Sequence, residues 1–285
     1  LSNYISDQRT SIFKQFEERM TFDDPFSSLM TVEINATELC NRTCSFCPRG
    51  VDYPNLNEHM DPAHLEVLFY QLKNSGYKNR ILFCGFSEPL LYKYIHGVIE
   101  QSKYILPESP VHLVTNTDKL TKDNISELFN SGLDLLICSV YDSPTQIDEL
   151  TKLFNECNID SSKYFFQHYY KSEEEQFGFA GFSSRAGYLF QHDTISKPCN
   201  MPFYSILVDW NGDYLLCCHD WKKSVKLGNI TNSHIKKVWL EHPILKQFRN
   251  NLSVGSRQDY PCRNCNVSGT LYGNRSKEIL SNEQV

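Results

Sequence analysis

Cys40, Cys44 and Cys47 stand in the stretch Leu39-Cys-Asn-Arg-Thr-Cys-Ser-Phe-Cys-Pro-Arg49, an x3 spacing followed by an x2 spacing. Three thiolates on one short loop can hold three corners of a cubane [4Fe-4S] cluster, which leaves the fourth iron without a protein ligand and open to a reactive molecule. Zinc is the competing reading. A pair of cysteines at x2 spacing with a distant partner such as Cys199 or a histidine is a common zinc pattern, although structural zinc sites usually build from paired x2 units. A second set of thiols, Cys199, Cys217, Cys218, Cys262 and Cys265, lies in the C-terminal third. It suffices for one closed four-ligand cluster or for a four-cysteine zinc site.

The elements that must position these residues read as alternating strands and helices. Residues 1–30 have the pattern of a polar lead-in helix, with Ile12, Phe13, Phe16 and Met20 at helical spacing, followed by a loop around Asp23-Asp-Pro25. Strands are expected at 31–35, 80–84, 111–115, 133–140 and 164–168, and helices at 62–73, 94–104, 122–130 and 144–154. A sixth strand has room between His168 and Pro198. Such alternation implies right-handed βαβ units and a parallel sheet covered on both faces, and the strand number suits a partial (β/α)6 barrel better than a closed eight-stranded one. Ligands on parallel sheets gather at the carboxyl ends of the strands, and the cysteine triplet follows the first strand. From about Pro198 the texture changes. Two apolar stretches flank Asn211-Gly212, a signal for a hairpin with a tight primed turn, and a helix over 235–250 offers Val238, Leu240, Ile244, Leu245 and Phe248 for packing. Three regions result: 1–30, 31–190 and 191–285.

Composition narrows the function classes. A net charge of −6 without a long basic block argues against a nucleic-acid partner. The 11 cysteines are odd in number and clustered in a chain of 285 residues, long enough to need no disulfide staples. No apolar run approaches a membrane span and no signal segment opens the chain. A reducing cytoplasm is the expected setting, with no membrane partner.

The x3-then-x2 triplet, with an aromatic residue before its last cysteine, resembles the signature of the radical S-adenosylmethionine (radical SAM) enzymes. Cys84-Gly-Phe-Ser-Glu-Pro-Leu90, after the second strand, resembles that family's glycine-glycine-glutamate motif, which implies that Gly85, Ser87 and Glu88 meet the methionine amino group of SAM. Ser87 stands where the family has glycine. Thr115 and Asn116 after the third strand and Ser139 at the end of the fourth resemble positions that contact the ribose or carboxylate, although Thr-Asn at a strand end can be only a helix cap. The resemblance places Phe46 beside the adenine or the cluster; an isolated aromatic could equally be core. The implied chemistry is reductive cleavage of SAM at the open iron to a 5′-deoxyadenosyl radical, which abstracts hydrogen from a substrate carbon, with the protein supplying position and water exclusion. A reduced flavodoxin or ferredoxin is the implied electron donor.

Cys199-x12-Gly212-x4-Cys217 resembles the opening of the SPASM domain, and with Cys262-x2-Cys265 it makes the truncated, single-cluster form called a twitch domain. The spacing is similar to that of radical SAM dehydrogenases that oxidise a secondary alcohol on an aminocyclitol. The glycine-x4-cysteine spacing selects Cys217 over Cys218 as the ligand, and adjacent residues on a strand point to opposite faces. Cys218, His219 and Asp220 stand together, and Cys218 is a candidate thiol for catalysis or a packed core residue. Ser184-Arg-Ala-Gly187 resembles an asparagine-arginine-alanine-glycine motif of the same proteins. That resemblance makes Arg185 a candidate for holding SAM's carboxylate or substrate hydroxyls, with a surface ion pair as the alternative. His168 and Tyr169 lie near the same rim.

The expected function is therefore oxidation of a hydroxyl-bearing carbon on a sugar, aminocyclitol or nucleotide-linked sugar, with a second [4Fe-4S] cluster as electron acceptor. Epimerisation, with Cys84, Cys138 or Cys218 returning hydrogen, is the near alternative. Maturation of a ribosomally made peptide substrate and a zinc-stabilised binding module are the others.

Overall fold

In the computed structural model, which describes residues 2–169, 183–191 and 193–282, the strands of the first half lie side by side in parallel. They are β1 (Thr31–Ile34), β2 (Arg80–Phe83), β3 (Val111–Thr115), β4 (Leu135–Val140) and β5 (Tyr164–His168). Between them run α2 (Pro62–Asn74), α3 (Ile95–Ile105), α4 (Lys122–Asn130) and α5 (Thr145–Glu156). Their starts are set locally: Asp61 accepts the amide of Ala63 at 2.9 Å ahead of Pro62, and Thr121 accepts that of Asn124 at 3.3 Å.

Period-two alternation divides the strands between two faces. Val32, Ile34, Ile81, Phe83, Val111, Leu113, Leu136 and Cys138 join the outer core against the helices, with Leu65, Phe69, Ile99, Leu128 and Phe154. On the inner face Leu82, Leu135, Ile137 and Phe165 form a separate apolar cluster. The helix α1 (Ser2–Glu17) sets Phe13 and Phe16, with Met20 beyond its end, against Met30, Tyr204 and Ile279. The guanidinium of Arg80 lies 4.8 Å from the Phe13 ring centre, so α1 covers the inner face at the end opposite the cysteine loop.

The sixth parallel strand is β6 (Ser205–Val208), which pairs with β1 on the side away from β2. Most of the interval where a sixth strand had room, 170–182, lies outside the described residues. After the short helix α6 (Met201–Tyr204), β6 begins the hairpin with β7 (Asp213–Leu215), and β8 (Lys226–Asn229) follows antiparallel. The sheet order is thus β5-β4-β3-β2-β1-β6-β7-β8, and the hairpin extends the barrel sheet without a break in hydrogen bonding at residue 190. Its turn differs from the expected primed form. The Gly212 amide donates to the Asp209 carbonyl at 2.8 Å, so Trp210 and Asn211 are the central pair and Gly212, at φ +86, takes the left-handed bulge position.

The expected helix over 235–250 is two helices, α7 (Ile235–Glu241) and α8 (Pro243–Ser253). Pro243 forces His242 out of the helical region, to ψ 122, because its ring clashes with a helical predecessor. The break rotates Ile244 to the surface while Val238, Leu245 and Phe248 stay buried. The last helix, α9 (Asn274–Asn282), packs on the turn at Pro25–Ser28, where Ser276 donates to the Ser28 carbonyl at 2.8 Å. No helix among the described residues is long and apolar enough to cross a membrane.

Candidate active site

The loop after β1 is held by its own chain before any metal is considered. The amide of Cys40 donates to Asn55 Oδ1 at 2.9 Å, and Asn55 returns a bond to the Cys40 carbonyl at 3.0 Å. Buried Arg49 donates to the carbonyls of Phe86 and Pro54 and to the Glu38 carboxylate, at 2.7, 2.9 and 3.2 Å. Arg42 reaches outward and grips both Asp118 and Asp142, tying the loop to the ends of β3 and β4. A Cβ on Gly50 would lie 2.3 Å from the Cys44 carbonyl oxygen, so the loop closes only over a residue without a side chain.

Cys40, Cys44 and Cys47 line a cavity of about 740 Å³ at the carboxyl ends of the inner strands, within the ~300–1,000 Å³ typical of small-molecule sites. Burial pushes the Cys40 thiol up, and burial together with the neighbouring thiols pushes Cys44 up to about 11. Such crowded thiols become good ligands once a cationic centre displaces their protons.

The other expected residues meet at the same cavity, in arrangements the sequence does not disclose. Glu88 is buried, with a carboxyl pushed up to about 7 chiefly by burial. It accepts from Leu90 N at 3.0 Å, Thr115 Oγ1 at 2.8 Å and Asn116 N at 2.6 Å. Two of these bonds clamp the loop after β2 to the end of β3 and the third caps the local turn at Leu90, leaving about one of the roughly four acceptor positions for an amino group. The Ser87 hydroxyl donates to Asn35 Oδ1 at 2.7 Å. Gly85, at φ +128, lets the backbone come so close that a Cβ would meet the Asn35 side chain at 2.7 Å. Thr115 is committed to Glu88, while the Asn116 amide reaches Asn41 Oδ1 at 2.8 Å and lies 3.9 Å from Cys40 Sγ. Ser139 lines the cavity beneath Tyr141.

Phe46 is one of three near-parallel rings. Its centre is 5.7 Å from that of Tyr141 and 5.9 Å from that of Tyr169, an apolar wall suited to a flat heterocycle. Tyr141 goes unremarked in the sequence, because nothing local marks the tyrosine after β4 as a partner of a ring almost a hundred residues earlier. His168 is not among the residues that line the cavity.

Arg185, Ala186 and Gly187 have φ of 50, 54 and 81, three successive left-handed residues. Two non-glycine residues in that region carry strain, offset here by Ser184, which accepts from the Gly187 amide and donates to the Asn264 carbonyl. The turn presents Arg185 to the cavity with a buried Nε that has no hydrogen-bond partner among the described residues, a donor available to a ligand. His219 beside it is held neutral, its pKa lowered to about 3 by burial and by the Arg185 charge. Asp220 turns away and accepts from the Ser224 and Val225 amides at 2.8 and 3.0 Å.

Cys199, Cys217, Cys262 and Cys265 line a separate small hollow among Met201, Leu216 and Pro261, whereas Cys218 lines the central cavity. A Cβ on Gly269 would sit 2.4 Å from Cys199 Sγ, so backbone presses directly on this hollow. Among the described residues no three Cys, His, Asp or Glu side chains converge as they would around a single ion. Each sulfur set is instead spread around a hollow.

Residues 34–163 match the Radical SAM superfamily, and residues 199–266 match SPASM, an iron-sulfur cluster-binding domain. The chain is a radical SAM enzyme with a SPASM domain. Its cofactors are accordingly SAM with a [4Fe-4S] cluster in the radical SAM domain and an auxiliary iron-sulfur cluster in the SPASM domain. The chain is 28% identical over 258 residues to the S-adenosyl-L-methionine-dependent 2-deoxy-scyllo-inosamine dehydrogenase of Niallia circulans, spanning 85% of this chain and 94% of that protein. Its fold matches BtrN crystallised with AdoMet and 2-DOIA, with a TM-score of 0.71 at 24% identity over 86% of this chain and 97% of that one. It also resembles anSMEcpe with bound AdoMet, with a TM-score of 0.55 at 13% identity over 88% and 94% of the two chains. The motifs do not include Glu33, which lines the cavity, nor the ion pair of Glu38, on the cysteine loop, with Lys223 of the SPASM domain.

Proposed function

We propose that this enzyme oxidises a hydroxyl-bearing carbon of a small polar molecule of the sugar, aminocyclitol or nucleotide-sugar class, with the auxiliary cluster accepting the electron. The observation that carries this reading is the pair Cys217 and Cys218. One lines the hollow shared with Cys199, Cys262 and Cys265, and its neighbour lines the central cavity, so a substrate there is separated from the auxiliary thiols by a wall one residue thick. The 28% identity to an aminocyclitol dehydrogenase points the same way.

Cys40, Cys44 and Cys47 would hold the open cluster to which SAM binds, and together these would supply the radical chemistry for hydrogen abstraction from carbon. The chain does the rest. Phe46, Tyr141 and Tyr169 give the adenine a flat apolar wall and keep water from it. Gly85, Ser87, Glu88, Thr115, Asn116 and Ser139 form the polar side for the methionine and ribose. Arg185 offers its unspent Nε–H to a carboxylate or hydroxyl, and its fixed fork orients what it binds. Cys199, Cys217, Cys262 and Cys265 hold the acceptor, and a reduced flavodoxin or ferredoxin is the electron donor.

A second reading is epimerisation, favoured by the Cys84 and Cys218 thiols that line the same cavity. Cys138 has no part in it, since it is buried in the outer core behind β4. The two readings separate on one experiment: anaerobic reconstitution, then reaction with 2-deoxy-scyllo-inosamine and related polyols under limiting SAM. A ketone formed without nicotinamide, lost when Cys262 and Cys265 are replaced by alanine, supports oxidation. A product of unchanged mass with inverted configuration, lost in Cys218→Ala, supports epimerisation.

A further inference from the structure

We propose that the Glu33 carboxylate, set in the floor of the central cavity between Cys84 and Cys218, receives a hydroxyl or ammonium group of the substrate and thereby selects what the site accepts. The inference rests on the substrate class proposed above and names the residue that enforces it.

Glu33 is the one charged residue of β1, whose other side chains are buried among apolar or hydroxyl neighbours. Val32 and Ile34 point to the outer core, so Glu33 points inward, to the cavity that Cys40, Cys44 and Cys47 also line. It is only 9% exposed. Elsewhere on the inner face of the sheet Leu82, Ile137 and Phe165 form an apolar cluster that does not line the cavity. A carboxylate buried to this extent has lost its water and needs other donors.

Among the described residues its own chain provides few. Ser205 Oγ donates to one oxygen at 2.8 Å, and Cys84 Sγ lies 3.8 Å from the other. The Cys218 thiol also faces it. Thiols are weak donors, and a carboxylate offers roughly four acceptor positions. Arg80, the buried cation of the same face, spends Nε and Nη2 on Thr31 Oγ1 at 3.1 and 2.9 Å and stacks on Phe13. No ion pair joins it to Glu33 among the described residues. Burial accordingly raises the Glu33 carboxyl above the ordinary range, against the opposing pull of Ser205 and Arg80. A buried carboxylate kept on a cavity floor with acceptor positions unspent is matched by a ligand that brings N–H or O–H donors. An ammonium group also brings the missing charge, so an aminocyclitol gains more here than a cyclitol with hydroxyls alone.

The test is calorimetric binding of 2-deoxy-scyllo-inosamine and of myo-inositol to the anaerobically reconstituted, SAM-loaded enzyme, in wild type, Glu33→Gln and Glu33→Asp. Iron content and SAM affinity serve as controls. Glu33→Gln is expected to weaken binding of the amine by about tenfold or more and that of myo-inositol by less, with both controls unchanged. Should Glu33→Gln fail to load, Glu33→Asp decides, because retracting the carboxylate by one methylene should also weaken the amine by about tenfold. Wild-type affinity in either variant overturns the role of Glu33 and leaves the substrate class standing. Failure of the wild-type enzyme to bind either cyclitol removes the cyclitols from the proposed substrate class and overturns the inference with them.

Discussion

Lys223 Nζ lies 2.7 Å from Asp209 Oδ2 and also contacts Glu38, and both carboxylates are almost wholly buried. Glu38 belongs to the loop that carries the cysteine triplet, and Lys223 to the loop that leaves Cys217 and Cys218. Arg49 binds the second oxygen of Glu38, and Asn35 donates to Asp209 at 2.8 Å. One network of charges thus joins the loop of the SAM-binding cluster to that of the auxiliary site.

Lys223→Met should be costly, because it leaves two buried carboxylates with Arg49 as the only cation among these partners. Breaking a buried pair by removing one member costs about 3–5 kcal/mol, and the partial exposure of Lys223 places the expected loss toward the lower end. Thermal or denaturant unfolding checks this. Lys223→Met/Asp209→Asn should recover part of the loss, and a double variant less stable than Lys223→Met would contradict the network.

Arg42→Ala should behave differently. Its partners Asp118 and Asp142 are partly exposed, and such pairs contribute about 0–1 kcal/mol. The melting temperature should barely move, while iron loss to a chelator from the Cys40, Cys44 and Cys47 site should accelerate, since the loop loses its tether to β3 and β4. Equal rates of iron release in the two proteins would show that Arg42 does not hold the loop.

Two glycines make a matched pair. Gly97 has nothing within 4 Å of a built Cβ and lies within α3, where alanine gains up to about 1 kcal/mol. Gly269 has φ +63 and a Cβ position 2.4 Å from Cys199 Sγ. Gly97→Ala should raise the melting temperature slightly. Gly269→Ala should lower it and remove the auxiliary iron while sparing the SAM-binding cluster, a difference read by iron analysis and electron paramagnetic resonance.

His112, on the inner face near Phe16, has its pKa lowered well below 6.5 by burial and by the charges of Arg80 and Lys103. The unfolded chain takes up a proton below about 6.5 that the folded chain refuses. This group therefore contributes stability above pH 6.5 that is lost as pH falls, at a slope of at most about 1.4 kcal/mol per pH unit. Between pH 6.5 and 5, His112→Gln should lose less stability than wild type. Parallel curves would show that His112 is not neutral in the folded enzyme.

Much of this enzyme is legible in one dimension because the physical causes are local. The x3-then-x2 spacing confines three thiols to one loop whatever surrounds it, and the period-two and period-3.6 patterns place the strands and helices of the core. Strand alternation was expected to separate Cys217 from Cys218, but both lie past the end of β7 and Cys218 is in a turn, so it is the turn that sends them to different hollows. What required the tertiary structure is every relation between distant positions. Glu33 and Ser205 meet because β6 pairs with β1. Glu38 and Lys223 meet across 185 residues. Tyr141 and Tyr169 become ring partners of Phe46 only when the carboxyl ends of the strands converge. Even Pro243 was visible, yet its consequence, Ile244 on the surface, depended on which face α7 had already committed to the core. Spacing along a chain sets which groups are near by covalent reach, whereas burial, desolvation and the pairing of charges arise only when the sheet closes around them.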